Sequence, residues 1–123
     1  MLIKYKGSKK DISVPKGITG IGGEAFAGST ALENVSLPDG VTNISENAFA
    51  GCENLKSVNI PDGVTEIGES AFSGCPITSI SLPQSVTKIG QNAFAGCNAL
   101  TFVDLPSKLS KIEDGTFDSC EKL

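Results

Sequence analysis

The chain has 123 residues, 39% of them apolar and 20% charged, a balance that suits one soluble domain with a real core. It contains no histidine, tryptophan or arginine and carries a net charge of −4. It therefore lacks the side chain that titrates near neutral pH and the planar fork that reads phosphate and guanine, which argues against nucleic-acid partners and leaves no obvious cofactor or metal chemistry. No apolar run approaches the roughly 18 residues of a membrane-crossing helix. The opening Met1-Leu2-Ile3-Lys4-Tyr5-Lys6 lacks a signal peptide's apolar stretch, although a piece of an exported protein would read the same way.

In chain order, residues 2–5, a turn at 6–9 and residues 10–14 read as a hairpin covering the first unit of a repeat. Five lysines against one aspartate fall in the first sixteen residues, and five lysines against thirteen acids in the rest. Lysines on an exposed edge discourage strand addition, so the hairpin is expected to cap residues 15–123 within a single domain spanning 1–123. From Pro15 onward the chain repeats. Pro15, Pro38, Pro61, Pro83 and Pro106 are evenly spaced, except that the interval from Pro61 to Pro83 is one position shorter than the others. Phe26, Phe49, Phe72, Phe94 and Phe117 keep the same intervals in the same order, as do Ile21, Ile44, Ile67, Ile89 and Ile112. The short unit, KSVNIPDGVTEIGESAFSGCPI from Lys56 to Ile77, has lost its residue at Cys75-Pro76-Ile77. Several columns that hold one period through a deletion establish five units.

A period in the low twenties with recurring Leu, Val and Ile is the mark of a solenoid, whose coils bury a core only by stacking. Within each unit, Leu55-Lys56-Ser57-Val58-Asn59-Ile60 alternates like a half-buried strand, with Val58 and Ile60 inward. The equivalent inward pairs are Ile12/Val14, Val35/Leu37, Ile80/Leu82 and Val103/Leu105. Coils that repeat one strand form a parallel sheet at about 4.8 Å per strand, so five coils make a slab about 20–25 Å long. Pro61-Asp62-Gly63 predicts a turn in which glycine takes a positive φ. Val64-Thr65-Glu66-Ile67-Gly68 predicts a second short strand, and residues 69–75 a single tight or 3₁₀ turn that tucks Ala71 and Phe72 inside. No segment between breakers suits a long helix. The expected fold is mainly β: a leucine-rich solenoid of about five coils of about 22–23 residues, strands and turns throughout. Glu121-Lys122-Leu123 stops at a unit boundary and leaves the last coil uncapped, which suggests either a longer array or a homodimer through that end.

The pattern LxxVxLPxxVTxIGxxAFxGCxxL, recurring five times over residues 9 to 123, resembles the BspA-like or Treponema pallidum-type leucine-rich repeats. The resemblance implies a curved stack with its parallel sheet on the concave side. It also implies a bacterial cell-surface protein, with adhesion to host matrix or plasma proteins such as fibronectin and fibrinogen, and it brings no catalytic residues. Ser29 stands where later units have cysteine, while Thr116 and Ser119 replace the usual alanine and glycine.

Cys52, Cys75, Cys97 and Cys120 form one column with the period of the repeat. Zinc ligands come in pairs about two to four residues apart, and a catalytic cysteine wants a basic partner. Adjacent coils could meet disulfide spacing, but an inward column suits buried free thiols. The phenylalanines read as a core spine rather than a ligand strip, and the glycines after Ile and after Phe as backbone turns rather than a phosphate cradle. Asn34-Val35-Ser36 and Asn43-Ile44-Ser45 match the N-glycosylation pattern, which a bacterial host would not normally use. The scattered carboxylates form no calcium loop.

What remains is the outward face of the main strands. Two rows of short polar side chains run along it: Asp11, Asn34, Ser57, Ser79 and Phe102, then Ser13, Ser36, Asn59, Ser81 and Asp104. Phe102 alone breaks the polar pattern, and aromatics at the centre of a contact tend to carry binding energy. Asn34, Ser36, Ser57, Asn59, Ser79, Ser81, Phe102 and Asp104 are thus the candidate partner-binding residues of a non-catalytic protein-interaction or adhesion module. The alternative is a structural spacer within a multidomain surface protein, which would keep this face uniform.

Overall fold

Each of the first four units contributes one strand to each of two parallel ladders, and the strands are short because the path turns twice in every coil. The computed structural model describes Tyr5, residues 7–109 and residues 112–123. The first ladder takes β1 (Asp11–Ser13), β3 (Asn34–Ser36), β5 (Ser57–Val58), β7 (Ser79–Ser81) and, from the fifth unit, β9 (Phe102–Asp104). The second takes β2 (Gly20–Ile21), β4 (Asn43–Ile44), β6 (Glu66–Ile67) and β8 (Lys88–Ile89). All pairings are parallel, with Val35 beside Ile12 and Val58, and Ile44 beside Ile21 and Ile67. The second ladder runs unbroken through β2-β4-β6-β8, whereas the first divides into β1-β3-β5 and β7-β9. The described residues contain no helix, as expected from the short spacing between breakers.

Burial follows the predicted alternation. Val35, Leu37, Ile60, Ile80 and Leu82 are buried, Ile12, Val58 and Val103 partly so, and the polar residues between them are exposed. The columns weaken in the fifth coil. Ile112 is half exposed and Leu105 exposed, whereas Ile21, Ile44, Ile67 and Ile89 are buried. The cause is that no coil of this chain lies over them. At the other end only Tyr5 of the expected strand at 2–5 is described; residues 1–4 and Lys6 of the hairpin cap lie outside the described residues. Tyr5 donates its N–H to the Ala25 carbonyl at 2.7 Å, and its ring tilts against Phe26 at 5.2 Å.

The phenylalanines form the spine. Phe26, Phe49, Phe72, Phe94 and Phe117 stack with ring centroids 4.9 to 5.7 Å apart and planes within 8°. Their separation is the rise of one coil, so ring stacking and main-chain pairing share one register. Phe49 N–H donates to the Ala71 carbonyl at 2.7 Å and Phe72 N–H to the Ala93 carbonyl at 2.8 Å. Within each coil the turn around the phenylalanine closes on itself by i+3 to i bonds, as in Ala71 N–H to Gly68 O, Ser73 N–H to Ser70 O and Cys75 N–H to Phe72 O. This is the tight turn expected at 69–75.

Two turn expectations need correction. At the turns that follow the repeated prolines, Gly17 alone among Gly17, Gly40 and Gly63 has a positive φ, at 97°. Val41 and Val64 close their turns on the Pro38 and Pro61 carbonyls, while Gly40 and Gly63 stay out of the left-handed region. Without a left-handed requirement, Pro83-Gln84-Ser85 makes the same turn, with Val86 N–H on the Pro83 carbonyl. Gly68 and Gly90 open the phenylalanine turns, accepting from Ala71 and Ala93, but without a positive φ. A Cβ at Gly68 would lie 2.5 Å from the Glu46 nitrogen and one at Gly90 2.5 Å from the Glu69 nitrogen, so the preceding coil's backbone passes where a side chain would sit.

The left-handed residues form two columns. Gly28, Gly51, Gly74 and Gly96 follow the phenylalanine, as expected, and Ser119 takes their place in the last coil at φ 59°. The other column, just before the Ala-Phe pair, is Glu24, Asn47, Ser70 and Asn92 at φ 55–59°, with Gly115 in the last coil. Thr116, the other departure there, is buried and gives its hydroxyl to the Glu113 carbonyl at 2.7 Å.

All four cysteines are free. Each Sγ donates to the phenylalanine carbonyl of the preceding coil: Cys52 to Phe26 at 3.0 Å, Cys75 to Phe49 at 3.1 Å, Cys97 to Phe72 at 3.3 Å and Cys120 to Phe94 at 3.1 Å. Cys52, Cys75 and Cys97 are fully buried and Cys120 partly so. A hydrogen bond toward Cys52 and then burial push the Cys75 thiol up. Burial pushes the Cys97 thiol up to about 12.

Truncating Phe72 to alanine is expected to cost about 3–5 kcal/mol, read from urea unfolding; an unchanged midpoint would contradict the spine. With a thiol reagent at neutral pH, Cys120 reacts first and the three buried thiols only as the chain unfolds. Because Cys97 keeps its proton to about 12 when folded and to only about 9.0 when free, its contribution is complete below the free value and is lost as pH rises between the two. A Cys97→Ala variant therefore loses less stability over that interval than the parent. Glu24→Gly relieves about 1–2 kcal/mol of left-handed strain against about 0.5–1 kcal/mol of added chain entropy, so it should raise the urea midpoint.

Candidate binding face

The first ladder presents its outward side chains in two rows, because alternate residues of a strand point to opposite faces. All eight candidate residues, Asn34, Ser36, Ser57, Asn59, Ser79, Ser81, Phe102 and Asp104, are exposed, and the pairing brings them onto one surface. Asn34 sits beside Ser57, and Ser79 and Ser81 sit beside Phe102 and Asp104. Phe102 is 59% exposed, the largest value for a large apolar side chain among the described residues.

Much of the surface is already hydrogen-bonded to itself. Asn34 Nδ2 donates to Asp11 Oδ1 at 2.7 Å, and Ser57 Oγ donates to Asn34 Oδ1 at 2.6 Å. Farther along, Ser81 Oγ donates to Asp104 Oδ2 at 3.3 Å. Identical registers put like positions one strand spacing apart, where a short donor reaches the acceptor on the next coil. These bonds hold the polar groups in fixed positions, which lowers the entropy a partner must remove on binding.

Asn59 departs from this pattern. Its Oδ1 accepts the Leu37 N–H at 2.7 Å, and its Nδ2 donates to the Leu37 carbonyl at 3.0 Å. In the first coil the equivalent donor, Val14 N–H, bonds the main-chain carbonyl of Ser36. A side-chain amide has therefore replaced the backbone in the ladder, and β5 ends at Val58, one residue earlier than β1, β3, β7 and β9. Next to it lies a cleft of about 460 Å³ lined by residues of β5 and β7 with their flanks, including Lys56, Ile60, Asp62 and Thr78. Sequence reasoning placed Asn59, Ser57, Ser79 and Ser81 on the face but missed the cleft and the part Lys56, Ile60 and Thr78 take in it. The signal that pointed to it was the missing residue at 75–77, which lies immediately before β7.

Among the described residues, no group of three or more acidic, cysteine or histidine side chains is placed to hold a metal ion, and no helix is long and apolar enough to cross a membrane.

The family model for the BspA type leucine-rich repeat region matches residues 19–123 in six copies. Among solved structures, the chain is 38% identical to a leucine-rich repeat protein from Bacteroides ovatus, covering 93% of this chain and 30% of that one with a TM-score of 0.90. It is 35% identical to the T. pallidum leucine-rich repeat protein, covering 98% and 59% with a TM-score of 0.94. It is 33% identical to a leucine-rich cell surface protein from Faecalibacterium prausnitzii, covering 98% and 32% with a TM-score of 0.93. The chain thus spans less than two thirds of each of these relatives. No curated protein matches it. With its repeat matched from the first coil to the last and its coils superposing on those of known members, the chain belongs to the BspA-type leucine-rich-repeat family.

Proposed function

We propose that the chain is a non-catalytic protein-interaction or adhesion module of a larger bacterial cell-surface protein, and that it binds its partner through the outward face of the first ladder. Phe102 carries this reading. It is an aromatic side chain, 59% exposed, standing in register with Ser79 on a face otherwise made of short polar residues. Exposed aromatics ringed by polar groups are where binding energy concentrates, and the bond between Ser81 and Asp104 beside it fixes part of that rim before contact. Leucine-rich repeats serve in general as protein-interaction scaffolds, and one of the related structures is described as a cell surface protein. The proposed ligands are host matrix or plasma proteins. At the last coil, exposed Leu105, Ile112 and Leu123 offer a second copy, or a further coil of the array, an apolar surface to cover.

Interferometry on immobilised fibronectin and fibrinogen tests the reading with the wild-type chain and Phe102→Ser. Because Phe102 is exposed, the variant should unfold at the same temperature while its affinity falls about tenfold or more, the scale of one lost anchor. Equal affinities would remove Phe102 from the contact, and no binding to either protein would favour a structural spacer.

A further inference from the structure

The division of the first ladder lies at the one short unit of the sequence. In the first and last pairs of coils, main-chain bonds join the neighbours on both sides of the strand, and between the second and third the Asn59 amide supplies the bond after it. Glu33 N–H donates to the Lys10 carbonyl at 2.7 Å and Val14 N–H to Ser36 at 2.9 Å; Thr101 N–H donates to Thr78 at 2.9 Å and Leu82 N–H to Asp104 at 2.9 Å. Across the junction between the third and fourth coils, no main-chain bond joins residues 56–60 to residues 78–82 among the described residues. By the same correspondence, the bonds missing here are those from Thr78 N–H to the Lys56 carbonyl and from Ile60 N–H to the Ser81 carbonyl.

Both walls have a local cause. Leu32, Leu55 and Leu100 enter their strands through an i+3 to i bond to Ser29, Cys52 and Cys97. Ile77 follows Cys75 with only Pro76 between them, so that turn cannot form and β7 arrives on a different path. On the opposite wall, the Asn59 amide holds Leu37 in place of the backbone and lets the β5 main chain leave the ladder. The opening is confined to this side of the coil. Phe72 and Phe94 still stack at 5.4 Å, and β6 still pairs with β8.

Its contents define its ligand. Unpaired main-chain groups in a sheet must be met by something, and here donors and acceptors alternate with the hydroxyls of Ser57, Ser79 and Ser81. An inserted peptide strand needs twice the strand spacing of about 4.8 Å, which the stacked spine and the β6–β8 pairing forbid. The charged side chains in the lining are Lys56 and Asp62, which cancel, so an anion has no excess cation to meet. A hydroxyl both donates and accepts and can satisfy either kind of group. Phe102 does not line the cleft, but it stands one strand beyond Ser79 and in register with it, which puts an exposed apolar side chain next to the cleft's rim.

We propose that the cleft between β5 and β7 is a binding site for a neutral saccharide, its hydroxyls pairing with the freed main-chain groups and its C–H face resting on Phe102. The site does not rest on the protein-binding reading, and loss of fibronectin binding leaves it intact. Titrating isotope-labelled protein with cellotriose, maltotriose, chitotriose and N-acetyllactosamine, with sialyllactose and a heparin disaccharide as charged controls, tests it by amide NMR. At least one neutral sugar should shift the Val58, Ile60, Thr78 and Ser81 amides. Ser79→Val and Phe102→Ser, both at exposed positions, should each weaken that sugar about fivefold or more without altering the thermal midpoint. The proposal is overturned if no neutral sugar moves these amides, if the charged controls bind equally well, or if both variants bind like the parent.

Discussion

A single coil of this chain cannot satisfy its own backbone. Its strands are two or three residues long, and a strand's N–H and C=O groups point sideways, out of the coil, so they must find partners on the coils above and below. The register between coils is therefore the constraint on which everything else depends. The side chains are selected to hold it. A phenylalanine ring stacks on its equivalent at the rise of one coil, a cysteine sulfur bonds the preceding coil's phenylalanine carbonyl, and threonines pass a hydroxyl bond down the second ladder from Thr87 to Thr65 to Thr42 to Thr19. Each interaction is modest, but all of them require the same offset and fail together if it slips.

That requirement explains the backbone strain. The non-glycine residues held near φ 55–59° before each Ala-Phe pair would relax if the coil were free. They remain because the peptide on one side feeds the phenylalanine turn and the peptide on the other bonds the next coil, as Asn47 N–H bonds Glu69 and Ser70 N–H bonds Gln91. Neighbouring structure over-determines the conformation, which is the condition under which strained residues persist. In the last coil the two left-handed positions exchange chemistry, with Gly115 and Ser119 in place of the usual polar residue and glycine. The geometry is kept from coil to coil even where the residue type is not.

The proposed function rests on the same repetition. A perfectly regular array offers the same small polar strip to any partner, and its groups largely satisfy one another, as the bonds linking Asp11, Asn34 and Ser57 show. Selectivity has to come from irregularities. This chain has two on one face, the aromatic at Phe102 and the open junction between β5 and β7, and they lie one strand apart.

The repeat and its period, the two strand ladders, the phenylalanine spine, the buried thiol column and the residues on the outward face were all legible in the amino-acid sequence. Each of these is a column whose period can be read off, and stacking translates period directly into proximity. Which glycines take a left-handed turn and which yield space to a neighbouring coil emerged from the packing of the stack. The Glu46 nitrogen that crowds Gly68 belongs to the coil before it, and its approach depends on the pitch of the stack. The same holds for Asn59. Its place in a row of serines predicted an exposed polar residue, which it is, but not that its amide takes over a main-chain pairing. The deleted residue before β7 was visible from the start, but its effect on the junction depends on how two coils meet, a relation that no single repeat contains.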